Sequence, residues 1–301
     1  MKDVCIIGSG PAGLTAAIYL ARSGIKPLVI AGENPGGQLV NTDLIENYPG
    51  FKSIRGAELM MAMLDQAESL GAEISYESVS SISKNTDKNA DIFDLKLDSD
   101  EIISSKSVLI ATGASHRHLD IPGEKEYTNK GVSWCATCDG PMYRGKKVAV
   151  IGGGNTAAME ALFLSNFAEK VFLIHRRNTL RAEKFMQEKI FANEKIECVW
   201  NSQVQEIIGT DNVTSLRLDS GTTLDISGIF IAIGTMPASN FVKDLVDLDP
   251  EGYVIANNTK TSCEGVFAAG DIVSGSLKQA IYAAGDGALA ARHIEEYLNI
   301  R

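Results

Sequence analysis

Twice in this chain a short apolar strand runs into a cluster of glycines and then into a helix-forming segment. The first copy is a strand from Asp3 to Ile7, the run Gly8-Ser9-Gly10-Pro11-Ala12-Gly13, a helix to about Ser23 and a second strand from Pro27 to Ile30. The second copy is Lys147 to Ile151, then Gly152-Gly153-Gly154-Asn155-Thr156-Ala157, a helix to about Asn166 and a strand from Val171 to Ile174. Glycines at this spacing let the backbone approach a pyrophosphate, and the helix N-terminus behind them offers amide donors and a favourable dipole. One such run is a weak signal. A run with its strand before and its helix after, and repeated, predicts an α/β chain with two Rossmann-like nucleotide-binding domains. In the second copy Asn155 reads as the helix cap.

The copies differ at the end of their second strand. The first ends Ile30-Ala31-Gly32-Glu33, where Glu33 is the only candidate for a ribose-binding acid. The second ends in His175-Arg176-Arg177, with Arg181 four residues further on. A carboxylate there would accept from a ribose 2′-hydroxyl and repel a 2′-phosphate, whereas guanidinium groups do the reverse. This unit is therefore expected to prefer NADPH. A return segment follows it: Gly265 to Asp271 reads as a buried strand ending in a glycine turn with an acid. Lys278-Gln279-Ala280 and an alanine-rich helix to about Leu298 come next. Asp271 is well placed to hold a ribityl or ribose hydroxyl. The order implies a discontinuous first domain, residues 1–114 and 241–301, with the NADPH domain, residues 115–240, inserted in it. The crossovers are expected at Ala111 to Ala114 and Ala232 to Pro237.

The most reactive segment is Trp134-Cys135-Ala136-Thr137-Cys138-Asp139-Gly140. Two cysteines at this spacing close a small disulfide, and a helix N-terminus stabilises the thiolate that opening it releases. Asp139 beside them is a candidate to move the proton that thiol–disulfide exchange requires. The competing readings are zinc ligands, which need about four donors where no second such pair exists, and inert core thiols. Cys138 lies 14 residues before Gly152, so the pair belongs to the inserted domain. A flavin reduces a disulfide only at contact distance and takes hydride from nicotinamide at the same place. The inserted domain is therefore expected to rotate about its two crossovers between half-reactions.

Bulk composition narrows the setting. The chain has 301 residues, a net charge of −10 and no long basic run, which argues against non-specific nucleic-acid binding. No stretch approaches the roughly 18 apolar residues of a membrane span. The run Val4 to Ile7 is too short for a signal-peptide core, so a cytoplasmic protein is expected. The five cysteines are not a secreted disulfide framework, and Cys5, Cys198 and Cys263 read as buried core thiols. Met60 to Met63 reads as packing within a helix from about Gly56 to Leu70. Asp87 to Glu101 reads as a hairpin region facing solvent. His116, His118 and His293 are given no catalytic role, because Asp139 already supplies an acid.

Together these segments resemble the low-molecular-weight bacterial thioredoxin reductases along nearly the whole chain. The segments that carry the likeness are Gly8 to Gly13, Gly36-Gly37-Gln38-Leu39, Glu46 to Gly50, Cys135 to Gly140, His175-Arg176-Arg177 with Arg181, and Ala268 to Asp271. The resemblance implies a homodimer that binds one FAD per subunit non-covalently and takes hydride from diffusing NADPH. It implies that Gly36, Gly37, Gln38 and Asn47 lie along the FAD, with Gly270, Asp271, Lys278, Gln279 and Ala280 closing the site. Cys138 would be the flavin-proximal sulfur and Cys135 the one that attacks thioredoxin or a thioredoxin-like partner. Arg176, Arg177 and Arg181 would hold the 2′-phosphate. Lys278 stands where the family usually has Arg, and Met159 where it often has Glu. Rival readings are a dithiol oxidase, a ferredoxin-linked reductase and a non-catalytic redox sensor. The arginine cluster argues against the first two, and a cysteine pair beside an acid against the third.

Overall fold

The structure, a computed structural model, describes residues 1–32, 35–87 and 90–299. It divides into two compact units, one formed by residues 1–115 and 236–301, the other by His116–Thr235. The chain begins with β1 (Lys2–Ile7), α1 (Pro11–Arg22), β2 (Leu28–Ile30), α2 (Gly56–Ser69), β3 (Glu73–Ser75), β4 (Val79–Asp87), β5 (Ala90–Leu97), β6 (Ile102–Ile110) and β7 (Ala114–His116). There follow β8 (Val132–Ser133), α3 (Ala136–Asp139), β9 (Lys147–Ile151), α4 (Asn155–Ser165), β10 (Lys170–His175), α5 (Lys184–Phe191) and β11 (Ile196–Trp200). Next come β12 (Val204–Gly209), β13 (Val213–Leu218), β14 (Thr223–Asp225), β15 (Gly228–Ile231) and β16 (Thr235–Pro237), and the chain returns through β17 (Val266–Ala268) and α6 (Ala280–Tyr297). Strands β7 and β16, which carry the two crossings, pair with each other.

In the first unit β3, β2, β1, β6 and β17 pair in parallel, in that order, and the β4–β5 hairpin extends the sheet from the N-terminal half of β6. Strict alternation along β1 explains why both faces are covered. Val4 and Ile6 point to the core under α1, α2 and α6, while Cys5 and Ile7 point to the opposite core with Phe93, Leu95 and Val266. The solvent-facing reading of Asp87 to Glu101 needs correction for the part described. Phe93, Leu95 and Leu97 of β5 are fully buried, because alternate residues of the strand roof one side of the sheet. On α2, Met60 and Met63 are core residues and only Met61 is exposed.

The second unit has five parallel strands ordered β11-β10-β9-β15-β8 and a separate antiparallel sheet β12-β13-β14. Val148, Val150, Val171 and Leu173 face the core that holds α4. Ala149, Ile151, Phe172 and Ile174 face the core shared with β12 and β13. Cys5 is fully buried, but Cys198 and Cys263 are only partly covered at the margins of their cores, a correction to the reading of all as core thiols. Among the described residues no helix is long and apolar enough to cross a membrane.

Candidate active site

The first glycine run forms the turn between β1 and α1. Gly8 has φ +108°, and a Cβ there would lie 2.3 Å from the carbonyl oxygen of Ala111. A Cβ on Gly13 would lie 1.9 Å from the carbonyl oxygen of Gly8, so α1 rests directly on its own turn. Gly10 caps the helix with extended backbone, makes no side-chain cap bond and has open space at its Cβ position, and Pro11 follows at the first helical position. That open side, lined by backbone, is the shape a pyrophosphate requires. Ala12 is pressed by α6, since a Cβ on Gly287 would lie 2.1 Å from its carbonyl oxygen. The Ser9 hydroxyl accepts from the Gly36 amide at 2.9 Å, which brings Gly36 and Gly37 (φ +90° and +62°) over the same turn, with Gln38 exposed beyond them.

The C-terminal segment meets this cradle within the same unit. Asn47 donates to the Gln279 side chain at 3.1 Å, and Gln279 is the residue before α6, whose first residue is Ala280. Gly270 and Asp271 form a short turn after β17, with the Gly270 amide donating to Asp286 at 3.3 Å. Burial pushes the Asp271 carboxyl above its ordinary range, with the charge of Lys278 opposing. Lys278 has φ +56°, and its ammonium donates to the Tyr253 hydroxyl at 2.8 Å over that ring. Glu33 lies outside the described residues.

In the second unit Gly152 has φ +155°, with the Ala232 carbonyl oxygen 2.4 Å from its Cβ position, and the His175 ring lies against Gly153. Gly154, again with open space at its Cβ position, caps α4. Asn155 is therefore the first helical residue and not the cap. Its side chain instead accepts from the Glu183 amide at 2.9 Å and tethers the segment before α5. Thr156, next in the helix, is exposed. His175 ends β10 and is buried; burial first, then the charges of Arg181, Arg177 and Arg176, hold its imidazole below the usual range. Arg176, Arg177 and Arg181 are exposed, and the Arg181 amide donates to the Gly153 carbonyl at 2.6 Å, so the arginine segment is bonded to the glycine turn.

Cys135 and Cys138 are joined as a disulfide, with Cα atoms 5.3 Å apart. Cys135 stands at the cap position of α3, and its sulfur accepts from the Cys138 amide at 3.2 Å. Cys138 is exposed and Cys135 half-buried. Ser133 organises the site: its hydroxyl donates to Asp139 Oδ2 at 2.6 Å and accepts from the Cys135 amide at 3.0 Å. Burial raises the Asp139 carboxyl above the usual range, with the Ser133 bond pulling the other way. Behind α3 lies Glu160 of α4, whose Oε1 accepts from the Ala136 amide at 3.4 Å. Sequence reasoning passed over Ser133 and Glu160. Nothing local marks Glu160, because it reaches the cysteines only through the packing of α3 on α4. The His116 and His118 rings flank Trp134, and His118 pairs with the buried Glu124 at 2.9 Å, while His293 bonds Thr259.

A two-unit chain with paired glycine turns and a redox-capable disulfide on the second matches a known family model. Residues 2–287 match that of the pyridine nucleotide-disulphide oxidoreductases. The chain belongs to that family. Within it, this oxidoreductase is 46% identical to the thioredoxin reductase of Streptomyces coelicolor, over 99% of this chain and 94% of that protein. It is 41% identical to the Bacillus subtilis thioredoxin reductase, over 98% and 94%. The crystal structure of the Streptococcus pyogenes thioredoxin reductase superposes with a TM-score of 0.93 at 42% identity, covering 99% of this chain and 98% of that one. The structural match shows a thioredoxin reductase fold over 99% of the chain.

Proposed function

We propose that this oxidoreductase uses NADPH and FAD to reduce the disulfide of thioredoxin or a thioredoxin-like protein. The observation that carries the reading is the Cys135–Cys138 disulfide at the cap of α3, with Asp139 held beside it, on the same unit as the arginine-marked glycine turn. Both glycine turns fit a dinucleotide, because a Cβ on Gly8, Gly13 or Gly152 would strike backbone while Gly10 and Gly154 leave the approach open. FAD would be held by Gly8, Gly10, Pro11, Ala12, Gly13, Gly36, Gly37, Gln38, Asn47, Gly270, Asp271, Lys278, Gln279 and Ala280. NADPH would be held by Gly152, Gly154, Asn155, Thr156, His175, Arg176, Arg177 and Arg181. Bound FAD supplies the two-electron step between a nicotinamide hydride and a disulfide.

The chain's own residues then do the rest. Once the disulfide is opened, the Cys135 thiolate attacks a sulfur of the partner's disulfide and expels the other as a thiolate. Cys138 resolves the mixed disulfide, releasing the partner's second sulfur, and Asp139 delivers a proton to a departing thiolate. The same unit carries the nicotinamide site and the disulfide, and both need the flavin, so that unit turns about the paired crossings between steps. The enzyme is further proposed to be a cytoplasmic homodimer. Anaerobic NADPH oxidation by the yellow protein tests the reading: sustained turnover is expected only with oxidised thioredoxin. Cys138→Ser is expected to keep FAD and accept hydride while losing thioredoxin reduction at least about 1,000-fold. Retained reduction in that variant would show the pair is misassigned.

A further inference from the structure

We propose that Glu160 is a proton store for the redox pair, its carboxyl taking up a proton when the Cys135–Cys138 disulfide is reduced and releasing it when the disulfide re-forms. The proposal rests on reading that pair as the reactive one, and it adds a positioning residue to it. Glu160 sits on α4 directly behind α3, and its Oε1 accepts from the amide of Ala136, the immediate neighbour of Cys135. Its other oxygen is buried and has no hydrogen-bond partner. A buried carboxylate needs several donors to stay ionised, and this one has a single long bond at 3.4 Å. It is therefore poised between its two states, so a charge appearing nearby decides whether it holds a proton. Burial pushes its pKa up to about 7, the Ala136 amide opposing.

The surroundings leave the sulfurs as the controlling charge. On the α3 side stand Cys135, Cys138 and Asp139, with Asp139 bonded to Ser133, and the turn after α3 brings Tyr143, whose hydroxyl burial raises to about 12. The other elements packed on α4 present Val148, Val150, Leu173 and Ile190 inward. Of their charged groups, Lys147, Lys184, Glu188 and Lys189 are exposed to solvent, Lys170 pairs with Glu197, and His175 lies on Gly153. Cys198 on β11 is half-covered and held protonated by burial.

The balance is simple. Two electrons from a donor, a hydride source in the proposed reaction and dithiothreitol in the test, break the S–S bond and leave two sulfur anions. One anion takes a proton by way of Asp139. The remaining anion raises the proton affinity of Glu160, which takes a proton from solvent in the pH range between its affinities in the oxidised and reduced states.

The experiment equilibrates the purified flavin-bound protein with mixtures of reduced and oxidised dithiothreitol from about pH 6 to about pH 9. Alkylation then counts the Cys135 and Cys138 thiols. Wild type and Glu160→Gln should run parallel below about pH 7, where Glu160 holds its proton in both redox states. Above that, the equilibrium constant for reducing wild type should fall an extra tenfold per pH unit, about 30 mV, relative to the variant. Parallel lines throughout would overturn the proposal. A wild-type disulfide that dithiothreitol cannot open reversibly would instead overturn the redox-pair reading on which it stands. A second measurement needs no variant: the reduced-minus-oxidised infrared spectrum of wild type at about pH 8 should gain a protonated carboxyl band that shifts in protein labelled with carbon-13 glutamate. An unshifted or absent band would also overturn it.

Discussion

The two glycine turns are one local device held in two different ways. In the first, α1 lies so close to its own turn that only hydrogen fits at Gly13, and α6 presses on Ala12 from the far end of the chain. In the second, the matching position is Ala157, whose methyl is fully buried in the core. There the turn is held by the end of β10 and the loop after it, through the His175 ring on Gly153 and the Arg181 amide on its carbonyl. The third position of the fingerprint therefore reports how closely helix and turn approach, and says nothing about which nucleotide is bound. In the first unit the cradle depends on a returning segment, and in the second on the residues that would select the cofactor.

The strongest way to break this comparison is to exchange the third positions. Gly13→Ala drives a methyl into backbone that has no flexible end to move, and it is expected to cost more than about 4 kcal/mol and abolish stable yellow protein. Ala157→Gly should cost only about 1 to 2 kcal/mol, from helix propensity and a small cavity, as read by urea denaturation. Equal losses would show that the two turns are packed alike.

A smaller effect is expected at the arginines. Replacing Arg176 and Arg177 by Ala should lower the preference for NADPH over NADH about 100-fold in kcat/KM, the loss of charge-assisted bonds to a 2′-phosphate. The steady-state constant for NADH should move little. An unchanged preference would place cofactor selection elsewhere.

A pH-dependent effect sharpens the difference in what the units carry, since only the second holds the disulfide and the acid behind it. Glu160 has its affinity for protons raised in the folded state, from an ordinary 4.5 to about 7. Its contribution to stability is complete below about pH 4.5 and is lost as pH rises toward 7. Relative to Glu160→Gln, wild type should lose on the order of 3 kcal/mol across that window and no more above it. Urea midpoints measured at a series of pH values check this, and a constant difference would mean the carboxyl is not held as described.

Much of this protein could be read locally. Strand, glycine turn and helix are set by short-range periodicity and by φ values that only glycine supplies freely, so β1–α1 and β9–α4 stand within a residue or so of where the pattern puts them. The Cys135 and Cys138 pair and the basic end of β10 are likewise visible as residues in a row. What packing decided is different in kind. Asn155 reads as a cap until Gly154 takes that place and Glu183 claims the side chain. The charge-rich stretch around β5 reads as surface until the sheet folds Phe93 and Leu95 beneath it. Cys198 and Cys263 end at core margins, and Glu160 meets Ala136 only because α3 settles on α4. Backbone propensity acts over a few residues and is written in the sequence as pattern. Burial, and with it the charge state of an acid or the partner of an amide, depends on residues brought together from far apart, and only the tertiary structure fixes those.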